Sequence, residues 1–203
     1  MSDIVYTYAG GVYLNLTNAC PCNCTFCIRA NGEGLGSAQS LWLRGDPTPE
    51  QVAEAMAAFD FTPFSEVVVC GYGEPTCALE NLRAASRYLR KNYPGMGIRL
   101  NTNGLSDLIN GRETAEEICD LVDTLSISLN APTAEKYAAV TRPSFGEKAF
   151  DAMLDFTRAC VARKPGHVIL TAVNVIPDED AAACKALAEG LGARFRLREY
   201  TAE

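Results

Sequence analysis

"EVVVCGYGEPTCALENLRAASRYL", residues 66–89, runs a short β-branched segment, a turn rich in glycine and proline, and an amphipathic stretch in immediate succession. Glu66 to Cys70 reads as a strand covered on both faces, because Val67, Val68 and Val69 leave no polar side to turn toward water. Gly71 to Thr76 breaks it. Leu79, Leu82, Ser86 and Leu89 then fall on one face of a helix at the 3.6-residue period. Strand, polar turn and helix together form the repeating unit of a parallel sheet with helices outside it.

The same unit recurs on either side. "VYLNL" (12–16), "GIRLNT" (97–102), "TLSISL" (124–129), "HVILTAV" (167–173) and "RFRLR" (194–198) are further strand candidates. Thr48, Pro49 and Gln51 supply an N-cap, a first-turn proline and the amide of a capping box ahead of "VAEAMAAF". Phe150, Met153, Leu154, Thr157 and Cys160 form one helical stripe, and Cys184, Leu187, Ala188 and Leu191 another. Six such units, the last strand near the end of the sequence, predict an α/β fold with one parallel sheet in a single domain over 1–203. The one long irregular piece is residues 30–47, expected to serve as a lid or a substrate wall.

Composition narrows the function. The chain has 203 residues, 48% hydrophobic and 21% charged, with a formal charge of −7. That balance supports a packed core and argues against broad adhesion to nucleic acid or anionic lipid. No apolar window approaches the roughly 18 residues of a membrane helix, and residues 1–20 have no basic stretch followed by an apolar run. A cytoplasmic protein is expected, and there nine cysteines point to metal binding or catalysis rather than a disulfide framework. Arg194, Arg196 and Arg198 share one face of the last strand, either as a solvated edge or as a local anion site.

In parallel α/β folds, sites gather at the carboxyl ends of strands. Five polar segments meet there: the loop from Cys20, "GYGEPT" (71–76), "NTNG" (101–104), "SLNAP" (128–132) and "NVIPDED" (174–180). The first places Cys20, Cys22, Cys24 and Cys27 within eight positions. A closed zinc site wants four ligands, usually as two separated pairs, and the sequence holds no second Cys-x2-Cys pair. His167, the one histidine, reads as packed within its strand. Skipping Cys22 leaves Cys20-x3-Cys24-x2-Cys27. Three thiolates on a four-iron cluster leave one iron open to a substrate or cofactor. Cys70, Cys77, Cys119, Cys160 and Cys184 show no ligand spacing and read as buried packing.

The spacing Cys20-x3-Cys24-x2-Cys27 after the first strand, with Phe26 before the last cysteine, resembles the signature of the radical S-adenosylmethionine (SAM) enzymes. "GYGEP" resembles that superfamily's GGEP segment, with Tyr72 in place of the second glycine. The likeness covers nearly the whole chain and implies a partial (βα)6 barrel. Within the superfamily, the opening resembles the radical SAM proteins associated with TatD-family nucleases.

That resemblance implies a [4Fe-4S] cluster on Cys20, Cys24 and Cys27 whose fourth iron chelates the methionine part of SAM. Reductive cleavage would give methionine and a 5′-deoxyadenosyl radical that abstracts hydrogen from a substrate, with a low-potential flavodoxin or ferredoxin as electron donor. Phe26 would lie against adenine, and the carbonyls of Gly71, Tyr72 and Gly73 would receive the SAM ammonium. Glu74 would bind that ammonium or brace the loop. Asn103, Ser128 and Asn130 would add contacts, and Val175 and Ile176 an apolar wall for adenine. Arg29, Trp42, Arg44 and Arg142 are the substrate-contact candidates. No side chain stands out as a catalytic acid or base, and the substrate stays open. A protein activase of the glycyl-radical type and a zinc-stabilised binding module are the alternatives.

Overall fold

The structure, a computed structural model, describes residues 3–30, 32 and 34–200. Seven strands form one sheet whose spatial order follows the sequence: β1 (Val5–Tyr8), β2 (Gly11–Leu14), β3 (Glu66–Val69), β4 (Gly97–Thr102), β5 (Thr124–Ser128), β6 (Val168–Val173) and β7 (Arg194–Arg198). β2 to β7 are parallel neighbours throughout. Such an order never reverses, so the sheet winds one way, as in a barrel. Seven helices are seen among the described residues: α1 (Pro49–Ala57), α2 (Leu79–Asn92), α3 (Ser106–Asn110), α4 (Ala115–Leu121), α5 (Ala134–Thr141), α6 (Lys148–Arg163) and α7 (Asp178–Gly190). The architecture is the expected α/β partial barrel, and the six expected strands are present within two residues at each end.

β1 was not expected. It pairs antiparallel to β2, Tyr6 opposite Tyr13, through a two-residue turn at Ala9 and Gly10 with φ of 47° and 78°. A turn with both residues left-handed ordinarily announces itself as Asn-Gly or Asp-Gly. Alanine hides it here.

Alternation along the strands separates two faces. Val12, Leu14, Val67, Val69, Ile98, Leu100, Leu125, Ile127, Val168 and Leu170 point to the helices and join the main core. The stripes read from sequence meet them: Leu79, Leu82, Ser86 and Leu89 on α2 and Phe150, Met153, Leu154, Thr157 and Cys160 on α6 are all buried. On α7, Cys184 and Ala188 are buried, with Leu187 and Leu191 packed at the margin. The opposite face of the sheet is lined by the alternate residues of each strand, among them Tyr13, Val68, Arg99, Ser126 and Thr171.

A second, smaller cluster covers that opposite face beside β1. Tyr6, Ala38, Leu41 and Tyr72 are buried in it, with Tyr8, Tyr13, Ile28 and Leu35 packed around them. Much of the 30–47 segment is thereby laid against the sheet; residues 31 and 33 lie outside those described. Ser37 and Thr7 exchange backbone and hydroxyl hydrogen bonds of 2.9 Å, and Asn18 both donates to the Leu43 carbonyl (2.7 Å) and accepts from its amide (3.0 Å). Gly36, at φ +60°, sits where a Cβ would stand 2.0 Å from the Thr7 carbonyl oxygen, so only glycine lets the segment lie this close.

His167 departs from expectation: it is exposed and precedes β6 rather than packing within it. Among the described residues no helix is long and apolar enough to cross a membrane. The capping box at α1 is formed in full, Gln51 N–H donating to Thr48 Oγ1 at 3.3 Å and Thr48 N–H to Gln51 Oε1 at 2.9 Å. Thr48→Ala is therefore expected to cost about 1 kcal/mol, read as a lower midpoint in urea with an unchanged slope.

Candidate active site

The carboxyl ends of β2 to β7 surround a cavity of about 370 Å³. Cys20, Cys22, Cys24, Phe26 and Cys27 line it from the loop after β2, Cys70 to Pro75 from the loop after β3, and Asn101, Thr102 and Asn103 from the end of β4. Ser128 and Asn130 after β5, Val173 on β6 and Arg198 on β7 complete the ring. Of the cofactor contacts expected from sequence, Phe26, Gly71, Tyr72, Gly73, Glu74, Asn103, Ser128 and Asn130 are brought together here.

Val175 and Ile176 are not. The chain leaves the sheet after Val173, so Val175 is 46% exposed and Ile176 packs back on the main core, leaving Val173 as the apolar wall on this side. Nor do Arg29, Trp42, Arg44 or Arg142 line the cavity. Arg29 donates to the Asn18 carbonyl at 3.2 Å and lies 5.5 Å from the centre of the Trp42 ring, which meets Tyr72 edge-on. Arg44 and Arg142 are exposed. Arg142 closes α5 in the left-handed conformation at φ 46°, its carbonyl receiving the Asn23 amide at 3.3 Å. Sequence reading passed over Tyr137, Thr141, Val173, Glu199 and Tyr200 as lining residues. Cys70, expected as buried packing, also faces the cavity, and Cys77 is half-buried; Cys119, Cys160 and Cys184 are buried as expected.

The cysteine loop is held from outside by the end of α5. Asn23 N–H donates to Thr141 O (3.0 Å), Thr25 N–H to Val140 O (2.9 Å) and Ser144 N–H to Pro21 O (2.8 Å). Cys22 is buried in the main core, bridged to Pro143, with Asn103 Nδ2 3.7 Å from its sulfur. Hydrogen bonding between thiols lowers the pKa of Cys20 and of Cys24 and, with burial, raises that of Cys22 well above the ordinary range. The lowered thiols of this loop, Cys20 and Cys24, are members of the x3-x2 frame, and the thiol between them is the one raised. Cys20, Cys24 and Cys27 are half-buried.

The loop after β3 owes its glycines to its neighbour β2. A Cβ on Gly71 would lie 2.0 Å from Asn15 Oδ1, and one on Gly73 would lie 2.1 Å from the Thr17 carbonyl. Tyr72 sends its amide to Asn15 Oδ1 (3.2 Å) and its ring into the second cluster, its hydroxyl donating to the Gly32 carbonyl at 2.7 Å. Glu74, 4% exposed, is a brace. Its Oε1 accepts from Thr76 N–H (3.0 Å), Thr76 Oγ1 (2.8 Å) and Thr102 Oγ1 (2.7 Å), and its Oε2 from Asn103 N–H (2.7 Å). Burial pushes its carboxyl up, and these four donors hold it back. The Glu74 amide meanwhile donates to the Ala19 carbonyl at 2.8 Å, tying this loop to the one that carries the cysteines.

The donor set fits a cluster together with an amine- and hydroxyl-bearing ligand. Among the described residues no three His, Cys, Asp or Glu side chains group around a single ion. A cluster asks for something else, one thiolate on each of several irons. Among the described residues Asn101 Oδ1 and Asn130 Oδ1 are buried acceptors without a donor, of the kind that an ammonium or ribose hydroxyl completes.

A one-way parallel barrel with cysteines on its first βα loop and a glycine-glutamate-proline loop beside them defines an enzyme that works with an iron-sulfur cluster and a nucleoside-bearing cofactor. The chain belongs to the Radical SAM superfamily, whose family model matches residues 14–187, and the enzymes of that superfamily use a [4Fe-4S] cluster and SAM. No curated protein matches it by sequence. Among solved structures it resembles a radical SAM methyltransferase from Sphaerobacter thermophilus, at 19% identity and a TM-score of 0.67 over 95% of this chain and 57% of that one. It also resembles native anSMEcpe with bound AdoMet, at 15% identity and a TM-score of 0.65 over 93% of this chain and 50% of that one. The chain thus spans 57% and 50% of the length of these two proteins, and at such identities the likeness is one of fold.

Proposed function

We propose that the chain is a radical SAM enzyme in which Cys20, Cys24 and Cys27 hold the cluster and the cavity beside them holds SAM. The observation that carries the reading is that the cysteine loop and the Gly71–Pro75 loop line one cavity and are joined by the Glu74–Ala19 hydrogen bond. When bound, the cluster and SAM together supply the 5′-deoxyadenosyl radical that takes a hydrogen atom from the substrate. The chain's own residues position and enclose. Phe26 and Val173 offer apolar surface to adenine, while Ser128, Asn130 and Asn101 offer polar atoms to the ribose and ammonium. The Gly71–Gly73 backbone approaches the same ammonium, and Glu74 fixes that backbone to the loop after β4. Cys22 stays a thiol in the core.

Residues 34–47, pinned to Thr7, Asn15 and Asn18, act as a fixed wall rather than a swinging lid. The domain 1–203 works as one unit in the cytoplasm, reduced by a flavodoxin or ferredoxin, and the opening around Cys20 supports kinship with the TatD-associated proteins of the superfamily.

Anaerobic reconstitution with iron and sulfide, followed by SAM and a strong reductant, is expected to give a brown protein that forms 5′-deoxyadenosine and methionine in equal amounts. A colourless protein that retains zinc and no iron would overturn the reading. So would a reconstituted protein that leaves SAM intact.

A further inference from the structure

On and below the cavity, the face of the sheet turned away from the helices carries four guanidinium groups, those of Arg99, Arg194, Arg196 and Arg198. Arg99 of β4 and Arg196 of β7 each precede by two residues a residue that lines the cavity, Asn101 and Arg198 respectively. The carboxylate on this face is Glu66, 3.2 Å from Arg99. Among the described residues no carboxylate stands within ion-pair distance of Arg196 or Arg198. Among the described residues, Arg99 Nε and Arg198 Nε are buried donors with no acceptor. Partial burial, and then the like charges of Arg99 and Arg198, pull the pKa of Arg196 below the usual arginine value. Gathering like charges and leaving buried donors unpaired is costly in any fold, and more telling in a chain whose formal charge is −7. Ser126 of β5 and Thr171 of β6, on the same face, add buried polar side chains between the arginines.

We propose that Arg99, Arg196 and Arg198 bind an oxyanion of the substrate, a carboxylate or a phosphoryl group. The planar guanidinium fork, with several N–H donors in fixed directions, matches that group. Naming the bound molecule a substrate rests on the radical SAM reading; the anion site itself does not. Two residues of strand separate Arg99 and Arg196 from the cavity lining, so the oxyanion sits about 6–7 Å below the cavity, with the reacting carbon nearer Arg198 and the cysteines.

Calorimetric titration of the reconstituted full chain tests this, with inorganic phosphate and acetate as probes, at ionic strength held constant with chloride and with and without SAM. Expected is one saturable site per chain for at least one probe, unaffected by SAM; the stronger probe tells phosphoryl from carboxylate. Arg196→Gln and Arg99→Gln should each weaken it about 10- to 100-fold, the loss of one charge-assisted contact. Arg196→Lys, which keeps the charge without the fork, should fall between and serves if the glutamine variant does not fold. Arg158→Gln, exposed on α6 and away from this face, should leave it unchanged. Binding that never saturates, that survives Arg196→Gln or Arg196→Lys undiminished, or that SAM displaces would overturn the assignment, the last because the arginines would then hold SAM's own carboxylate. The 5′-deoxyadenosine formed in the same samples separates the two ideas. Anion binding without SAM cleavage rejects the radical SAM reading and keeps the site, and cleavage without anion binding does the reverse.

Discussion

Cys24→Ala is expected to leave a folded protein that cannot retain iron and whose SAM cleavage falls below detection, and Cys20→Ala and Cys27→Ala should do the same. The three thiols are half-buried at a cavity wall, so trimming any one of them removes little packing. Each would nonetheless be one of only three protein attachments of the cluster. Loss of a group that merely supports a metal ligand costs about 10–100-fold in affinity or activity, and loss of a ligand itself should exceed that. Cys22→Ala is the contrast. It should keep its iron and its cleavage while losing about 1 kcal/mol of stability, because it removes a buried sulfur packed in the core near Tyr137. Iron and sulfide content, with 5′-deoxyadenosine formation, reads all four variants. If Cys22→Ala lost its iron and Cys24→Ala kept it, the ligand frame would have to be redrawn through Cys22.

Glu74→Ala should produce the largest loss of stability. Four donors converge on that carboxylate, two of them backbone amides. Rotation lets the hydroxyls of Thr76 and Thr102 seek other partners, but the amides of Thr76 and Asn103 stay fixed. At about 1–3 kcal/mol for each orphaned group, the expected cost is about 3–5 kcal/mol, a drop in melting temperature on the order of 10 °C. Glu74→Gln should cost less, since its carbonyl can keep the Oε1 contacts while its amino group opposes the Asn103 amide. Both variants loosen the tie between the loops after β3 and β4, so SAM affinity should fall in step with stability. A Glu74→Ala protein that melted within a degree or two of the parent would show that the brace carries no weight.

Much of this was legible because period and punctuation agreed. The all-valine centre of β3, the stripes on α2 and α6 and the Thr48–Gln51 box each state their structure locally, and six repeats leave few topologies. The proposed cysteine frame was read on a chemical ground, since thiolate spacing is what a cluster requires. What the sequence concealed was decided by partners far along the chain. Ala9–Gly10 lacks the usual turn residues, so β1 went unseen. Val175 and Ile176 look like a wall continuing β6, yet Asn174 turns the chain there, its backbone amide bonded to Arg198 and its side chain to Glu199 and Tyr200. Arg29 and Trp42 look available until their mutual stacking and the Asn18 carbonyl are seen. Arg198 was visible as one of three like-facing charges, but its place in the cavity depends on where β7 falls in the sheet.

Asn15 is the feature with the widest reach. Buried at the end of β2, it donates to the Leu41 carbonyl at 2.7 Å and accepts the Tyr72 amide at 3.2 Å, so one carboxamide holds the wall segment and the Gly71–Pro75 loop at once. Neither can rise from the sheet without breaking a bond to the group that anchors the other. Wall and loop are therefore expected to open as one cooperative unit, protected from solvent exchange together and released together.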